Sequence, residues 1–244
     1  MSEMPAIQPR FLPSGDAAVT VEFGATVDPR LNGLVLKLDE QIAAMDLPGL
    51  VETVPTYRSL LVQFDPLSFD YDSFVAKVSA IAVSLSPKQG SRKRWKVPVV
   101  YGGAFGIDLE DVAARHGMRT AEVIERHAGA VYRIYMIGFM PGFAYLGGLD
   151  PVLATPRREN PRLKTPAGTI SIGGAQAAVA SVEAPSGWHL LGRTPVRGFM
   201  AEREPPLLFE AGDEVVFQPV PESRWEALDR AAAAGEPVAE SITP

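Results

Sequence analysis

Three segments rich in glycine and proline carry the polar residues of this chain that could bind a ligand. They read GFMPGFAYLGG from residue 138, TPAGTISIGGAQ from residue 165 and APSGWHLLGRTP from residue 184. Glycine lets a backbone approach a ligand closely, and ligand pockets are mostly apolar with a few placed polar groups. We therefore expect three walls of one pocket. Its polar groups would be Gln176, His189, Arg193 and Thr194, with Arg157, Arg158 and Arg162 upstream.

Arg193 and Gln176 are the main candidates for chemistry. Both follow glycine-rich turns within short predicted strands, where a rigid sheet can hold a side chain against a ligand. A guanidinium offers a fixed fork of donors that matches a carboxylate or a phosphate. The backbone N–H groups of Gly173 and Gly174 are candidates for stabilising an oxyanion. The arginines at 157, 158 and 162 are either solubility charges or, beside two prolines, an anion-binding edge.

The three histidines, at 116, 127 and 189, are too scattered for a metal motif, so we predict no metal site. His127 lies near the C-terminus of a predicted helix. The helix dipole there favours the charged imidazole. Its two interpretations are a structural residue at the helix end and a general base.

Large apolar side chains occur in the glycine-rich loop after residue 138. Phe139, Met140, Phe143 and Tyr145 are there, and Trp188 follows in the third segment. Such a loop either forms part of the core or offers an apolar surface to a partner. Both interpretations stay open on the sequence.

Composition and missing motifs exclude several classes. The chain has 244 residues, a net charge of -6 and no cysteine. That charge argues against non-specific nucleic-acid binding, and the lack of cysteine excludes disulfides and thiolate catalysis. There is no Walker or dinucleotide loop and no Gly-x-Ser-x-Gly elbow. No secretory signal or membrane span is evident, so we expect a soluble cytoplasmic protein.

The first half predicts an α+β domain. A strand at residues 17–23 precedes a helix capped by Asp28 and Pro29, two strands at 51–57 and 59–64, a helix capped by Asp70 and a strand at 95–101. This βαββαβ order is that of a ferredoxin-like sandwich. The polar stretch 84–94 marks the boundary, and the last strand could belong to either side.

The second half predicts a β-rich domain. After two short helices, capped by Asp108 and Thr120, short strands alternate with Gly/Pro turns. This pattern indicates a closed or sandwiched β architecture. A C-terminal helix with Ser223 as cap and a loose tail from residue 235 would follow. The predicted divisions are residues 1–90, 91–220 and 221–244.

The runs GFMPGFAYLGGLD, PRRENPR, PAGTISIGGAQ and SGWHLLGRTP resemble the first subunit of bacterial allophanate-hydrolase-like proteins. That family includes the 5-oxoprolinase component PxpB and the kinase-inhibitor protein KipI. The resemblance extends over about residues 11–220. It implies a cyclophilin-like β-barrel in the second half. It also implies three possible activities: part of an ATP-dependent 5-oxoprolinase, a regulator of a histidine kinase, or a component of urea or allophanate processing.

For the first activity, the resemblance implies two partners, a second allophanate-hydrolase-like subunit (PxpC) and a LamB/YcsF-type subunit (PxpA). ATP would be used by the complex, and the isolated chain would be inactive. The expected catalytic residues are His127, Gln176 and Arg193. The expected substrate-binding residues are Arg157, Arg158, Gly173, Gly174 and Thr194. The expected partner interface consists of Phe139, Met140, Phe143, Tyr145 and Trp188.

Overall fold

The computed structural model describes residues 7–87 and 93–242. The chain forms two compact units, Met1–Gly90 and Ser91–Pro244. Residues 88–92 of the predicted linker lie outside the described residues. Within the described ranges, no helix combines the length and the apolar character needed to cross a bilayer.

The first unit is an antiparallel sheet with two helices. Its strands are β1 (Arg10–Pro13), β2 (Ala18–Glu22), β3 (Leu50–Pro55) and β4 (Ser59–Phe64), and its helices are α1 (Pro29–Ala43) and α2 (Tyr71–Ser84). The strand order is β1-β2-β4-β3. Apolar side chains that alternate along β2 and β4 bury against the inward stripes of both helices, so one core unites the sheet and the helices.

Local signals predicted the starts of both helices. The Asp28 carboxylate accepts hydrogen bonds from the N–H groups of Arg30 and Leu31, and Pro29 is the first helical residue. Asp70 accepts from the Ser73 N–H at 3.0 Å. These side chains satisfy donors that a helix leaves unpaired in its first turn, so the two predicted caps are confirmed.

The predicted βαββαβ order is not reproduced within the first unit. Its sixth element is β5 (Arg94–Tyr101), which lies in the second unit and pairs in parallel with β13 (Glu214–Pro219). The edge position beside β2 is taken instead by β1, through a short antiparallel hairpin. A strand adjacent in the chain can take an edge at a small loop-closure cost.

The second unit is a closed barrel. Besides β5 and β13, its strands are β6 (Val131–Ile137), β7 (Ala144–Gly147), β9 (Thr169–Gly173), β10 (Gln176–Val179) and β12 (His189–Arg193). They follow the order β12-β9-β10-β7-β6-β13-β5, and pairing of β12 with β5 closes a seven-stranded ring. Closure leaves the ring without an open edge. Side chains such as Ile134, Leu146 and Ile170 fill its interior and are completely buried.

Smaller elements surround the barrel. They are α3 (Leu109–Arg115), α4 (Thr120–Ala128), α5 (Trp225–Ala233), the 3₁₀ turns Pro151–Leu153 and Glu222–Arg224, and the strands β8 (Arg162–Thr165), β11 (Ala184–Ser186) and β14 (Glu240–Ile242). Strands β8 and β11 form a separate two-stranded ladder.

Four local predictions were wrong. The tail is not loose throughout, because β14 pairs with β5. Residues 144–147 were expected to be loop, but they form β7, which hydrogen-bonds to β6 and β10. Thr120 and Ser223 are not helix caps: Thr120 is already the first residue of α4, and Ser223 lies inside a 3₁₀ turn. In each case, pairing or packing with distant segments outweighs a weak local signal.

Candidate ligand-binding cleft

A cleft of about 350 Å³ opens on the barrel, and residues of two of the three glycine-rich segments line it. We call it the aromatic cleft. Its aromatic lining is Phe139, Phe143, Tyr145 and Trp188, and its cationic lining is Arg157 and Arg158. Its volume lies in the usual range of small-molecule sites. Among the described residues, no carboxylate lines it.

The connection between β6 and β7 gives the cleft its exposed ring. The Gly138 N–H donates to the Phe143 carbonyl at 3.0 Å, which makes the connection tight. Phe139 takes a φ of +71° there and is 61% exposed. A bulky residue seldom adopts this left-handed conformation, which costs about 1 kcal/mol or more. The loop therefore holds an apolar ring outward in a strained conformation.

Trp188 forms the inner wall. A Cβ added at Gly173 would lie 2.7 Å from its indole ring, so the ring rests directly on the backbone of β9. Tyr145 meets it edge to face, with ring centroids 6.1 Å apart. Trp188, Phe143, Ala178 and Ala180 make a small buried cluster. Only glycine at 173 allows this close approach of ring and strand.

The segment that bears the two arginines is fastened to the barrel by its backbone. Thr155 forms an isolated β-bridge with Gly174. The Nε2–H of His189 donates to the Pro156 carbonyl at 2.9 Å. The Arg158 N–H donates to the Gly187 carbonyl at 2.7 Å. Backbone bonds on both sides of Arg157 thus fix where its side chain starts.

Behind the cleft, a buried carboxylate holds two arginines. Asp108 is 1% exposed and accepts two hydrogen bonds from Arg162, at 2.6 and 2.9 Å, and one from Arg158 Nη1 at 3.2 Å. Burial raises the pKa of Asp108, but the bonds from Arg162 and the Leu190 N–H and the two guanidinium charges outweigh burial, so its pKa lies below the usual value.

Asp108 is the N-cap residue of α3, as predicted, but its side chain makes no cap hydrogen bond to the helix. Sequence reasoning missed the carboxylate–arginine cluster. Its partners lie 50 and 54 residues further along the chain, and no local signal marks that pairing.

Arg157 lies over the indole ring at the open side of the cleft. Its guanidinium carbon is 5.5 Å from the centroid of the Trp188 ring. Burial raises the pKa of Tyr145, and the charge of Arg157 acts in the opposite direction. Asp108 binds Arg158 and Arg162 but not Arg157, so these three arginines and one carboxylate leave a formal surplus of two positive charges. The arrangement can bind an anionic group beside an apolar surface.

His127 lies away from this cleft. It is fully buried on α4, its Nδ1 is 2.8 Å from the Tyr101 hydroxyl and its ring stacks on Phe217. Burial lowers the pKa of His127 to about 3, so the expectation of a charged imidazole stabilised by the helix dipole is wrong. His127 does not line the aromatic cleft.

Gln176 and Arg193 do not share a site. Gln176 pairs with Gly173 on β9, whereas Arg193 pairs with Thr169, four residues away on the same strand. At about 3.3 Å per residue their backbones are ~13 Å apart along the barrel. Arg193 donates two hydrogen bonds to the Ala167 carbonyl and lies over Trp225, at 4.8 Å from the ring centroid. Its contacts are those of a structural residue.

Three further predicted substrate contacts have structural roles. Thr194 is fully buried, and its hydroxyl accepts from the Val196 N–H at 3.2 Å. The Gly174 N–H donates to the Thr155 carbonyl at 2.6 Å, so it is not available to an oxyanion. Gly173 is buried beneath Trp188.

The predicted partner interface divides into exposed and buried parts. Phe139 is exposed, Met140 and Tyr145 are half-buried, and Phe143 and Trp188 are each only 6% exposed. Of the two interpretations, burial in the core applies to Phe143 and Trp188, and an exposed apolar surface applies to Phe139. Phe143 and Trp188 are buried in one cluster with Ala178 and Ala180, whose small side chains leave room for the two large rings.

A second cavity in this unit, of about 200 Å³ beside Trp95 and Met200, contains Arg197 and Arg203. Both arginines are already bound, to Asp229 and to backbone carbonyls respectively. Among the described residues, no group of His, Asp or Glu is arranged to hold a metal ion.

Comparison with known proteins places the chain among bacterial relatives. It is 35% identical to the 5-oxoprolinase B subunit of Bacillus subtilis, over 87% of this chain and 93% of the relative. It is 36% identical to the 5-oxoprolinase B subunit of Escherichia coli O157:H7, over 84% and 93% of the two chains. The protein of the same name from Haemophilus influenzae is 39% identical, over 69% and 78%.

Solved structures share the fold. The structure of TTHA0988 superposes with a TM-score of 0.74 at 31% identity, over 83% of this chain. This chain spans only 40% of TTHA0988. Urea carboxylase of Kluyveromyces lactis superposes with a TM-score of 0.77 at 19% identity, over 96% of this chain and 24% of that protein, which shows a common fold alone.

Residues 9–209 match the family described as carboxyltransferase domain, subdomain C and D. That match spans both units. Together with the relatives above, it shows that this chain belongs to the carboxyltransferase subdomain C and D family, in the branch that contains the B subunit of 5-oxoprolinase.

Proposed function

We propose that this chain is the B subunit of an ATP-dependent 5-oxoprolinase, which opens the lactam of 5-oxo-L-proline to L-glutamate together with two partner subunits. The observation that carries the proposal is 35–39% identity, over most of the chain, to three proteins that bear the name of this 5-oxoprolinase component. The aromatic cleft supports it, since Arg157 and Arg158 offer donors to the carboxylate of such a substrate.

The proposed partners are a second allophanate-hydrolase-like subunit, PxpC, and a LamB/YcsF-type subunit, PxpA. ATP is used by the assembled complex, and the isolated chain is inactive. Lactam opening by ATP requires stabilisation of an oxyanion or of a phosphorylated intermediate, and the sequence contains no Walker loop. A division of the chemistry among subunits accounts for this combination. The complex is proposed to act in the cytoplasm.

We also propose more specific names for the two units. The barrel would be cyclophilin-like. The first unit would be a ferredoxin-like sandwich in which an N-terminal strand replaces the usual last strand. The β1-β2-β4-β3 order with two helices on one core supports the second name.

The proposed partner contact centres on Phe139, an exposed ring in a strained loop. We expect Phe139→Asp to prevent co-purification with PxpC, because a charge in a buried contact is unfavourable. Leu163→Asp is the matched control, since Leu163 is 89% exposed in the same unit and lies outside the cleft lining. Equal recovery of the complex for both variants would exclude Phe139 from the interface.

The activity is tested by co-expressing this chain with its cognate PxpC and PxpA proteins. We expect ATP-dependent release of glutamate from 5-oxoproline by the three together, and none by this chain alone. No release by a complete, folded complex would overturn the proposal. The exposed Phe139 would then favour a KipI-like role, in which this loop docks a histidine kinase.

A further inference from the structure

The aromatic cleft contains two arginines in different states. Arg158 Nη1 is bound to Asp108, which is itself held by Arg162. Both nitrogens of the Arg162 fork are used in that contact. Arg157 makes no hydrogen bond or ion pair with any described residue, and its guanidinium lies over the indole ring of Trp188. All the donors of Arg157 are therefore available to a ligand, whereas Arg158 is partly used by Asp108 and keeps a buried Nε–H without a partner.

The stack on Trp188 prepares Arg157 for binding. An arginine side chain loses up to about 2 kcal/mol of rotamer entropy when a ligand fixes it. A cation–π contact at an exposed site contributes about 0.5–1 kcal/mol toward fixing it beforehand. Trp188 is itself buried and packs against the β9 backbone at Gly173. Arg157 is exposed above this ring, so its N–H groups can be reached by a ligand.

The charge around this arginine selects the ligand class. No carboxylate among the described residues lines the cleft, and the buried Asp108 carboxylate is already held by two arginines and the Leu190 N–H. A planar carboxylate or a phosphate matches both the charge and the donor fork of Arg157, which favours an anionic ligand over a neutral one. The half-buried ring of Tyr145 and the exposed ring of Phe139 offer apolar contact to the rest of the ligand.

We propose that the aromatic cleft is an oxyanion-binding site, in which Arg157, oriented by Trp188, binds the carboxylate or phosphate group of a small ligand whose apolar part lies against Tyr145 and Phe139. This deepens the proposed function and rests on it, because 5-oxoproline and glutamate carry a carboxylate and ATP carries phosphates. Arg158 is the second, fixed cation of the site.

The test is a set of titrations of the full chain, one each with 5-oxoproline, glutamate, inorganic phosphate and ATP. Calorimetry and tryptophan emission monitor the binding. We expect at least one of these probes to bind with a Kd below about 10 mM. Arg157→Gln should weaken it at least tenfold, and Arg157→Lys should weaken it less. Arg230→Gln, an exposed arginine on α5 outside the cleft, should change it less than about twofold. Trp188→Phe should abolish the ligand-dependent change in emission, while Trp95 and Trp225 remain.

If the free chain binds none of the probes, the same titrations are made on the three-subunit complex. Absence of binding there too would overturn the proposal, as would unchanged affinity in Arg157→Gln. The ligand that binds distinguishes carboxylate from phosphate recognition. Failure of the site and failure of the proposed function are separable: normal glutamate release by an Arg157→Gln complex would overturn the site alone, whereas binding without any glutamate release would overturn the function alone.

Discussion

Arg162 donates from both terminal nitrogens to the two carboxylate oxygens of Asp108, at 2.6 and 2.9 Å. The carboxylate is 1% exposed, and the arginine side chain is 22% exposed. This pair joins the start of α3 to strand β8, and Arg158 and the Leu190 N–H complete the set of donors. It fixes the base of the aromatic cleft from behind.

Asp108→Asn should lower the free energy of unfolding of the second unit by about 2–3 kcal/mol, because two partly buried arginines lose the buried carboxylate that binds them. Asp229→Asn is the matched control: that carboxylate pairs with Arg197 near the surface, and we expect at most about 1 kcal/mol. Urea unfolding followed by tryptophan emission measures both, since all three tryptophans lie after residue 91. Similar losses in the two variants would contradict the structural importance of Asp108.

Gly173→Ala should displace Trp188, because the new methyl carbon would lie 2.7 Å from the indole ring. Overpacking of this kind costs about 1–3 kcal/mol. We expect a lower urea midpoint and a changed emission maximum. Gly138→Ala is the control, since an added Cβ there meets nothing within 4 Å. An unaltered emission spectrum in Gly173→Ala would show that the ring does not rest on this strand.

Phe143→Asp should destabilise the isolated chain by more than about 2 kcal/mol, because it places a charge in the cluster formed with Trp188. Phe139→Asp, at a 61% exposed position, should change stability by less than about 1 kcal/mol. Circular dichroism and urea unfolding of the two variants make the comparison. Comparable stability would mean that Phe143 is not a core side chain, and Phe143→Asp could then be used to test the partner interface.

The pH dependence of stability should carry a contribution from His127. Its folded pKa is about 3, below the unfolded value of about 6.5, so the unfolded chain takes up the proton first. This contribution to stability is present above about pH 6.5 and is lost as the pH falls toward 3. Between pH 7 and 5 it amounts to about 2 kcal/mol.

Between pH 7 and 5, the free energy of unfolding of His127→Gln should therefore fall by about 2 kcal/mol less than that of the wild type, whatever the stability of the variant at pH 7. Urea unfolding at the two pH values measures the difference. Equal pH dependence in both proteins would show that His127 is not buried in its neutral form.

Short-range features of the fold were predictable from the sequence. The caps at Asp28 and Asp70 and the apolar stripe of α1 act within one or two turns, so their signals lie close together in the chain. The many short strands of the second half predicted a closed or sandwiched β architecture, and the barrel is closed. Which sheet would take β5 was not predictable, because parallel pairing with β13 depends on residues about 120 positions away.

For the candidate site, the sequence alone identified the segments and the family. The long glycine- and aromatic-rich motifs sufficed for that, since a backbone that must approach closely or turn left-handed requires glycine at particular positions. Only the tertiary structure decided which candidates meet. The barrel register sets Gln176 and Arg193 at different heights, and burial neutralises His127. The cleft unites Arg157 and Trp188 because packing and ion pairing join segments that local sequence signals cannot connect.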